Sequence, residues 1–117
     1  MMTLRVKRAY GLPSEDDGFR ILVDRIWPRG VSRERIQIDL WLKEVAPSDE
    51  LRRWFGHDPG RWDEFKERYH GELASKEDLV GLISEKVSSG DVTLVFGAKD
   101  EKFNNAVALK EYLLRKS

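Results

Sequence analysis

Two short apolar runs, separated by a long stretch with helical periodicity, constrain the fold of this sequence more than any other feature. The runs Ile21-Leu22-Val23 and Val92–Phe96 are each typical of a strand that is buried on both faces. Between them, apolar residues recur at helical spacing, as at Trp62, Phe65 and Tyr69. Long helical crossovers connect parallel strands, so the sequence predicts an α/β fold. We expect one small domain over residues 1–117, with a partly parallel sheet covered by helices.

Patterning predicts the remaining elements, with one ambiguous segment. Residues 3–10 alternate apolar and basic side chains, which indicates a strand with one buried face. Residues 32–48 alternate like a strand and then fit a short helix, so we expect an extended segment that leads into a helix. Asp58 precedes a proline and predicts a helix start, because its carboxylate accepts a first-turn N–H. Ser75 with Asp78 resembles a capping box and predicts the start of the next helix.

Composition excludes several classes of function. Basic and acidic residues balance at 21 each, so nucleic-acid binding is possible through a local patch but is not favoured. The chain has no cysteine, which excludes disulfides, thiolate metal sites and a cysteine nucleophile. No segment resembles a signal peptide or a membrane span, so we expect a cytoplasmic protein that does not bind membranes. The acidic loop at residues 14–17 is expected to be solvated, and we predict no metal and no cofactor.

The first polar cluster is the stretch VDRIWPRG, residues 23–30, where a buried strand ends. It combines Asp24, Arg25, Trp27 and Arg29 with two turn-forming residues. One interpretation is structural: a turn in which Trp27 covers the core and Asp24 pairs with an arginine. The other is an anion-binding edge, since guanidinium groups match phosphate or carboxylate and an indole offers a stacking face.

The second cluster is WFGHDPGRW, residues 54–62, in which His57 and Asp58 stand at the start of a predicted helix. His57 is one of two histidines and stands in a tight loop, where it could act as an acid or base near neutral pH or could only complete the loop's hydrogen bonds. Asp58 is a helix cap or a partner of that histidine. The other histidine, His70, falls within a helix and is predicted to lie at the surface.

The third cluster is KDEKFNN, residues 99–105, after the second buried strand. Asp100 is expected to cap the final helix, and Lys99 could contact an anion beside it. Asn104 and Asn105 follow, and two asparagines in a row are unfavourable in a helix unless their amides find partners. Those partners are either a neighbouring loop or a ligand.

Parallel strands bring these clusters to one place. In open α/β sheets, ligands bind beyond the carboxyl ends of the strands. We therefore predict one pocket that binds, or acts on, an anionic small molecule or a nucleotide. The predicted catalytic residues are His57, Asp24 and Asp58, with the histidine as general acid or base. The predicted ligand-binding residues are Arg25, Trp27, Arg29, Lys99, Asp100, Asn104 and Asn105.

Two alternatives stay open. The first is a non-catalytic module for nucleic acid or a protein, with a basic face formed by Arg5, Lys7, Arg8 and Arg20. The second is purely structural, in which case Asp24 and the polar residues of the other clusters would be scattered in space. The sequence does not decide whether the protein is an enzyme.

Three stretches resemble the family of domain of unknown function 488, in its short YeaO-like branch. They are DDGFRILVDRIWPRG (residues 16–30), LWLKEVAPSDELRRWFGHDPGRWDEF (40–65) and VTLVFGAKDEKFNNAVALKEYL (92–113). The resemblance implies a small α/β domain whose motifs gather at the carboxyl edge of the sheet. It also implies that longer members carry a Cys-His-Arg type motif where this chain has Asn104-Asn105, so cysteine chemistry would be lost here.

Overall fold

The computed structural model describes residues 3–116, which form four strands and five α-helices. The strands are β1 (Leu4–Arg8), β2 (Phe19–Leu22), β3 (Leu40–Trp41) and β4 (Val92–Phe96). The helices are α1 (Arg33–Ile36), α2 (Asp49–Phe55), α3 (Trp62–Leu73), α4 (Glu77–Ser89) and α5 (Asn105–Lys116). Short turns of 3-10 helix lie at Glu15–Asp17, Lys43–Val45 and Pro59–Arg61. Among these residues, no helix is both long enough and apolar enough to cross a membrane.

The sheet is parallel throughout, in the order β1-β4-β2-β3. In register, Leu94 of β4 lies between Val6 of β1 and Ile21 of β2. All five residues of β4 are buried, which explains why four of them are apolar. The edge strand β1 is half-buried along its whole length, because only one side of it is paired. The predicted α/β class is therefore confirmed.

The two faces of the sheet carry cores of different size. On one face, α2 to α5 pack over the strands around Phe65, Tyr69, Ile83 and Leu109. On the other face, a smaller core is closed by α1 and the loops beside it. Its buried members are Ala9, Leu22, Val31, Ile36 and Val95, with Trp27, Ile38 and Trp41 packed against them.

A buried ion pair holds the smaller face together. Arg20 Nη1 lies 2.6 Å from Asp17 Oδ2, and the two residues are 4% and 1% exposed. Lys7 Nζ lies 2.6 Å from Asp17 Oδ1, and Arg20 Nε and Nη2 donate to the carbonyl of Ile36 at 3.1 and 2.9 Å. The sequence prediction of a solvated acidic loop is therefore wrong for Asp17. The prediction that Arg20 belongs to an exposed basic face is also wrong, since its charge is neutralised inside the protein.

Asp17 links this ion pair to the acid stability of the fold. Burial raises the pKa of its carboxyl, but hydrogen bonds from Lys7, the Ser14 backbone and Arg20 outweigh burial and leave that pKa below the ordinary value. A depressed carboxyl pKa stabilises the fold above the unfolded-state pKa of about 3.9, and this contribution is lost as pH falls below it.

We predict that the stability advantage of the wild type over Asp17→Asn is full at neutral pH and shrinks as the pH falls below about 3.9. Urea unfolding at a series of pH values measures it. Asp63→Asn, at an exposed position on α3, is the control and should change stability little throughout. A stability difference between the wild type and Asp17→Asn that stays constant at acidic pH would contradict the lowered pKa of Asp17.

Several local predictions need correction. In residues 32–48 the helix comes first: Ser32 caps α1, Gln37 ends it with a φ of 51°, and β3 follows. Ser75 does not form a capping box, because its hydroxyl donates to Glu72 O at 2.8 Å and α4 begins at Glu77. His70 is half-buried rather than at the surface. Its Nε2 donates to Ala108 O at 2.8 Å.

Candidate functional site

A cavity of about 210 Å³ lies where the chain leaves the carboxyl ends of β2 and β4. The two strands are parallel neighbours, so the loops that follow them start at the same edge of the sheet. The cavity wall combines apolar side chains with acidic, basic and amide groups. It is formed by Asp24, Arg25, Ile26, Ala46, Pro47, Arg52, Phe55, His57, Phe65, Ala98, Asn104 and Asn105. The three polar clusters of the sequence therefore each contribute residues to one concave surface.

Asp24 is the central acidic group of this cavity. Its Oδ2 accepts from the backbone N–H of Gly97 at 2.8 Å, and its Oδ1 accepts from Nδ2 of Asn105 at 3.0 Å. Burial raises the pKa of the Asp24 carboxyl, and the hydrogen bonds from Asn105 and Gly97, together with the positive charge of Arg52, only partly oppose this. No ion pair reaches this carboxylate among residues 3–116. A half-buried carboxylate that lines a cavity and has a raised pKa is typical of a functional site.

Gly97 allows the approach that Asp24 requires. A Cβ atom at this position would lie 3.1 Å from Asp24 Oδ2, closer than ordinary van der Waals contact. The glycine after β4 therefore lets the loop backbone donate directly to the carboxylate.

Two asparagine amides at the start of α5 line the cavity, and one of them contacts Asp24. Asn104 is 2% exposed: its Oδ1 accepts from Val107 N at 3.0 Å, and its Nδ2 donates to Asp100 O at 2.9 Å. Asn105 Nδ2 donates to both Val23 O, at 3.1 Å, and Asp24. The asparagine pair thus caps the helix with the first amide and ties it to β2 with the second.

Asp100 does not cap the final helix, contrary to the sequence prediction. Its Oδ1 accepts from the backbone N–H groups of Lys102 and Phe103 at 2.9 and 3.0 Å, which closes the bend before α5. These same hydrogen bonds lower the pKa of the Asp100 carboxyl. The short polar side chain nearest the helix start, Asn104, takes the capping role instead.

Arg25 and Arg52 supply positive charge to the cavity. Arg25 Nη2 donates to Ala46 O at 3.3 Å, while its Nη1 and Nε lie 3.8 Å from the carboxylates of Glu44 and Asp49. In the described part of the chain its buried Nε has no hydrogen-bond partner, and its Nη1 makes no hydrogen bond either. Arg52 is exposed and pairs with Asp49 at 2.9 Å. The Arg25 guanidinium therefore keeps donor capacity that the protein itself does not use.

His57 stands at the mouth of the cavity. It has a φ of 57°, which is rare for a residue with a side chain, and its side chain is exposed. It also lines a shallower depression beside the cavity, together with Lys99 and Asp100. Within residues 3–116, no hydrogen bond or ion pair joins His57 to Asp24 or Asp58.

Comparison with known proteins identifies the family. A family model described as the Inactive DUF488-N3 subclade matches residues 3–117. The chain belongs to this subclade of the DUF488 family. It is 37% identical over 112 residues to the uncharacterized protein YeaO of Escherichia coli, covering 96% of this chain and 97% of that protein. It is 48% identical over 79 residues to the uncharacterized protein Rv3073c of Mycobacterium tuberculosis, covering 68% of this chain and 67% of that protein. No solved structure matches the chain.

Five residues of the predicted site lie outside this cavity. Asp58 accepts from Gly60 N at 2.9 Å and caps the turn Pro59–Arg61. Trp27 packs in the smaller core: its indole N–H donates to Val31 O at 2.7 Å, and its ring lies edge-on to Trp41 at 5.4 Å. Of the other three, Arg29 is exposed in a turn, whereas Lys99 and Asp100 line the neighbouring depression.

The cavity wall also contains residues that the sequence did not predict. Arg52 lines the cavity and the adjacent Arg53 does not, and nothing in the pattern of α2 distinguishes the two. Ala46 and Pro47 belong to the ambiguous segment at residues 32–48. β2 ends at Leu22, so Asp24 and Arg25 lie in the loop that follows the strand, and both line the cavity.

Proposed function

We propose that this protein binds a small anionic molecule in the cavity at the carboxyl ends of β2 and β4, without chemical turnover. The observation that carries the proposal is that Arg25 has hydrogen-bond donors that the protein leaves unused. Arg25 lines the cavity, its nearest carboxylates are 3.8 Å away, and its Nη1 makes no hydrogen bond among the described residues. A phosphate or carboxylate supplies acceptors that match such a fork of donors.

The surroundings of Arg25 support a binding site for a small molecule. Arg52 and His57 add donors around the cavity, while Pro47, Phe55 and Phe65 add apolar wall. This mixture of apolar lining and a few convergent polar groups is typical of ligand sites. The volume of about 210 Å³ suits a small molecule. A nucleotide would have to extend into the depression beside Lys99.

Binding without turnover is supported by three observations. The subclade is described as inactive. The chain has no cysteine, and Asn104 and Asn105 use their amides to hold α5 in place. His57 has no carboxylate hydrogen-bonded to its ring in residues 3–116, so the orientation expected of a general base is missing. A cytoplasmic location stays a prediction.

The alternative of a nucleic-acid module has less support. The basic residues proposed for its binding face make contacts within the protein. Lys7 pairs with Asp17, Arg8 Nε donates to Ala98 O at 2.9 Å, and Arg5 donates to Asp16 O. Arg20 is buried. These contacts reduce the free positive charge available to a phosphate backbone.

We expect titration of the ¹⁵N-labelled protein to locate the anion. Inorganic phosphate, acetate and adenosine monophosphate serve as probes at millimolar concentrations. At least one probe should shift the backbone amide signals of Arg25, Gly97, Ala98 and Asn105 in a saturable way. Signals around Arg33 and Arg35, which are exposed in α1, provide the internal control. Shifts confined to α1, or no saturable shift at all, would contradict the proposal.

A further inference from the structure

We infer that the ligand of this cavity is a zwitterion of the amino-acid type, whose ammonium group meets Asp24 and Asn105 while its acidic group meets Arg25 and Arg52. This inference rests on the proposed function and adds the chemical class of the ligand. It begins from an apparent conflict. A site for an anion also contains a half-buried carboxylate, and in a desolvated cavity two negative charges repel strongly.

No ion pair with the described residues neutralises Asp24, although the positive charge of Arg52 lowers the pKa of its carboxyl. The two partners of its carboxylate are neutral N–H groups, from Gly97 at 2.8 Å and Asn105 at 3.0 Å. No lysine, arginine or histidine nitrogen of the described residues lies within ion-pair distance of it. Each carboxylate oxygen accepts more than one hydrogen bond, so Asp24 retains acceptor capacity beside the cavity. An anion without a positive group would lose binding energy there.

Asn105 adds a second acceptor. Both hydrogens of its amide nitrogen are used, one by Val23 O at 3.1 Å and one by Asp24 Oδ1. The amide oxygen has no hydrogen bond within residues 3–116 and belongs to a side chain that lines the cavity. A carboxylate and an amide oxygen together suit an ammonium group, which donates three hydrogen bonds and accepts none.

The cationic part of the wall suits the other end of such a molecule. Arg25 keeps an unused Nη1 donor, and Arg52 reaches the same cavity from α2. Acceptors around Asp24 and donors around the two guanidiniums therefore give the cavity a bipolar lining. A molecule that carries both an ammonium and an acidic group satisfies both ends at once, whereas a plain anion satisfies one and is repelled by the other.

Calorimetric titration with matched pairs of compounds tests this inference. Leucine and isocaproate differ only in the ammonium group, and so do γ-aminobutyrate and butyrate. In at least one pair, we expect the wild type to bind the amino compound about tenfold more tightly or better, because the ammonium gains charged hydrogen bonds. Asp24→Asn should remove that preference, and Glu50→Gln, at an exposed position of α2, should keep it.

The outcomes separate the inference from the proposed function. If the acids without an ammonium group bind as tightly as the amino compounds, the inference of a zwitterionic ligand is wrong and the proposed anion binding stands. If neither member of a pair binds and the phosphate, acetate and nucleotide probes also fail, both are wrong. The comparison of paired compounds is made on the wild type, so it holds even if Asp24→Asn fails to fold.

Discussion

Arg20→Met is expected to lower the free energy of unfolding by about 3–5 kcal/mol, because it removes one partner of a buried ion pair. Asp17 would keep Lys7, but the carbonyl of Ile36 would lose both of its guanidinium donors. The methionine retains the apolar stem length of arginine, so the loss reports mainly on charge and hydrogen bonding. We expect this substitution to reduce stability more than a substitution of Arg25 or Arg52, because Arg20 is the buried arginine of the three.

Urea unfolding followed by circular dichroism measures this effect. Arg35→Met, at an exposed position in α1, is the matched control and should change stability by less than about 0.5 kcal/mol. Arg20→Lys should fall between the two, since it keeps the charge and loses the fork that reaches Ile36. An Arg20→Met midpoint equal to that of the wild type would contradict a stabilising role for this ion pair.

The sequence predicts a helix or strand correctly where the element is long enough for its buried face to leave a periodic pattern. The mostly apolar run of β4 and the stripe of α3 were read correctly, because buried faces leave a period in the sequence. Residues 32–48 were read in the wrong order. There, α1 has four residues and β3 has two, so neither is long enough for periodicity to show.

The residues of the candidate site likewise divide into those that the sequence predicts and those that depend on tertiary structure. That Asp24, His57 and Asn105 would share one surface could be predicted, since parallel strands place their carboxyl ends together. The choice between Trp27 as part of the core and as a ligand-stacking group depended on which face of the sheet its loop covers. Likewise, the buried pairing of Asp17 with Arg20 depends on how the loop before β2 folds back over the sheet. These are tertiary facts that no local pattern encodes.

Arg25→Met is expected to weaken binding of the most tightly bound anion probe by about 10- to 100-fold. The substitution removes donors that would form charged hydrogen bonds with the ligand, each worth about 1.5–3 kcal/mol. Because the carboxylates nearest Arg25 are 3.8 Å away and its side chain is partly exposed, we expect only a small loss of stability. Arg52→Met should weaken binding less, because that side chain is more exposed and already paired with Asp49.

The most direct test of anion binding in this cavity is the ratio of probe affinities between two single-arginine variants, Arg25→Met and Arg53→Met, measured by the same ¹⁵N titration. Both variants lose one positive charge, but Arg53 is exposed on α2 and does not line the cavity. We predict near wild-type affinity for Arg53→Met and a loss of about tenfold or more for Arg25→Met. Equal affinities in the two folded variants would show that the anion responds only to net charge and does not bind in this cavity.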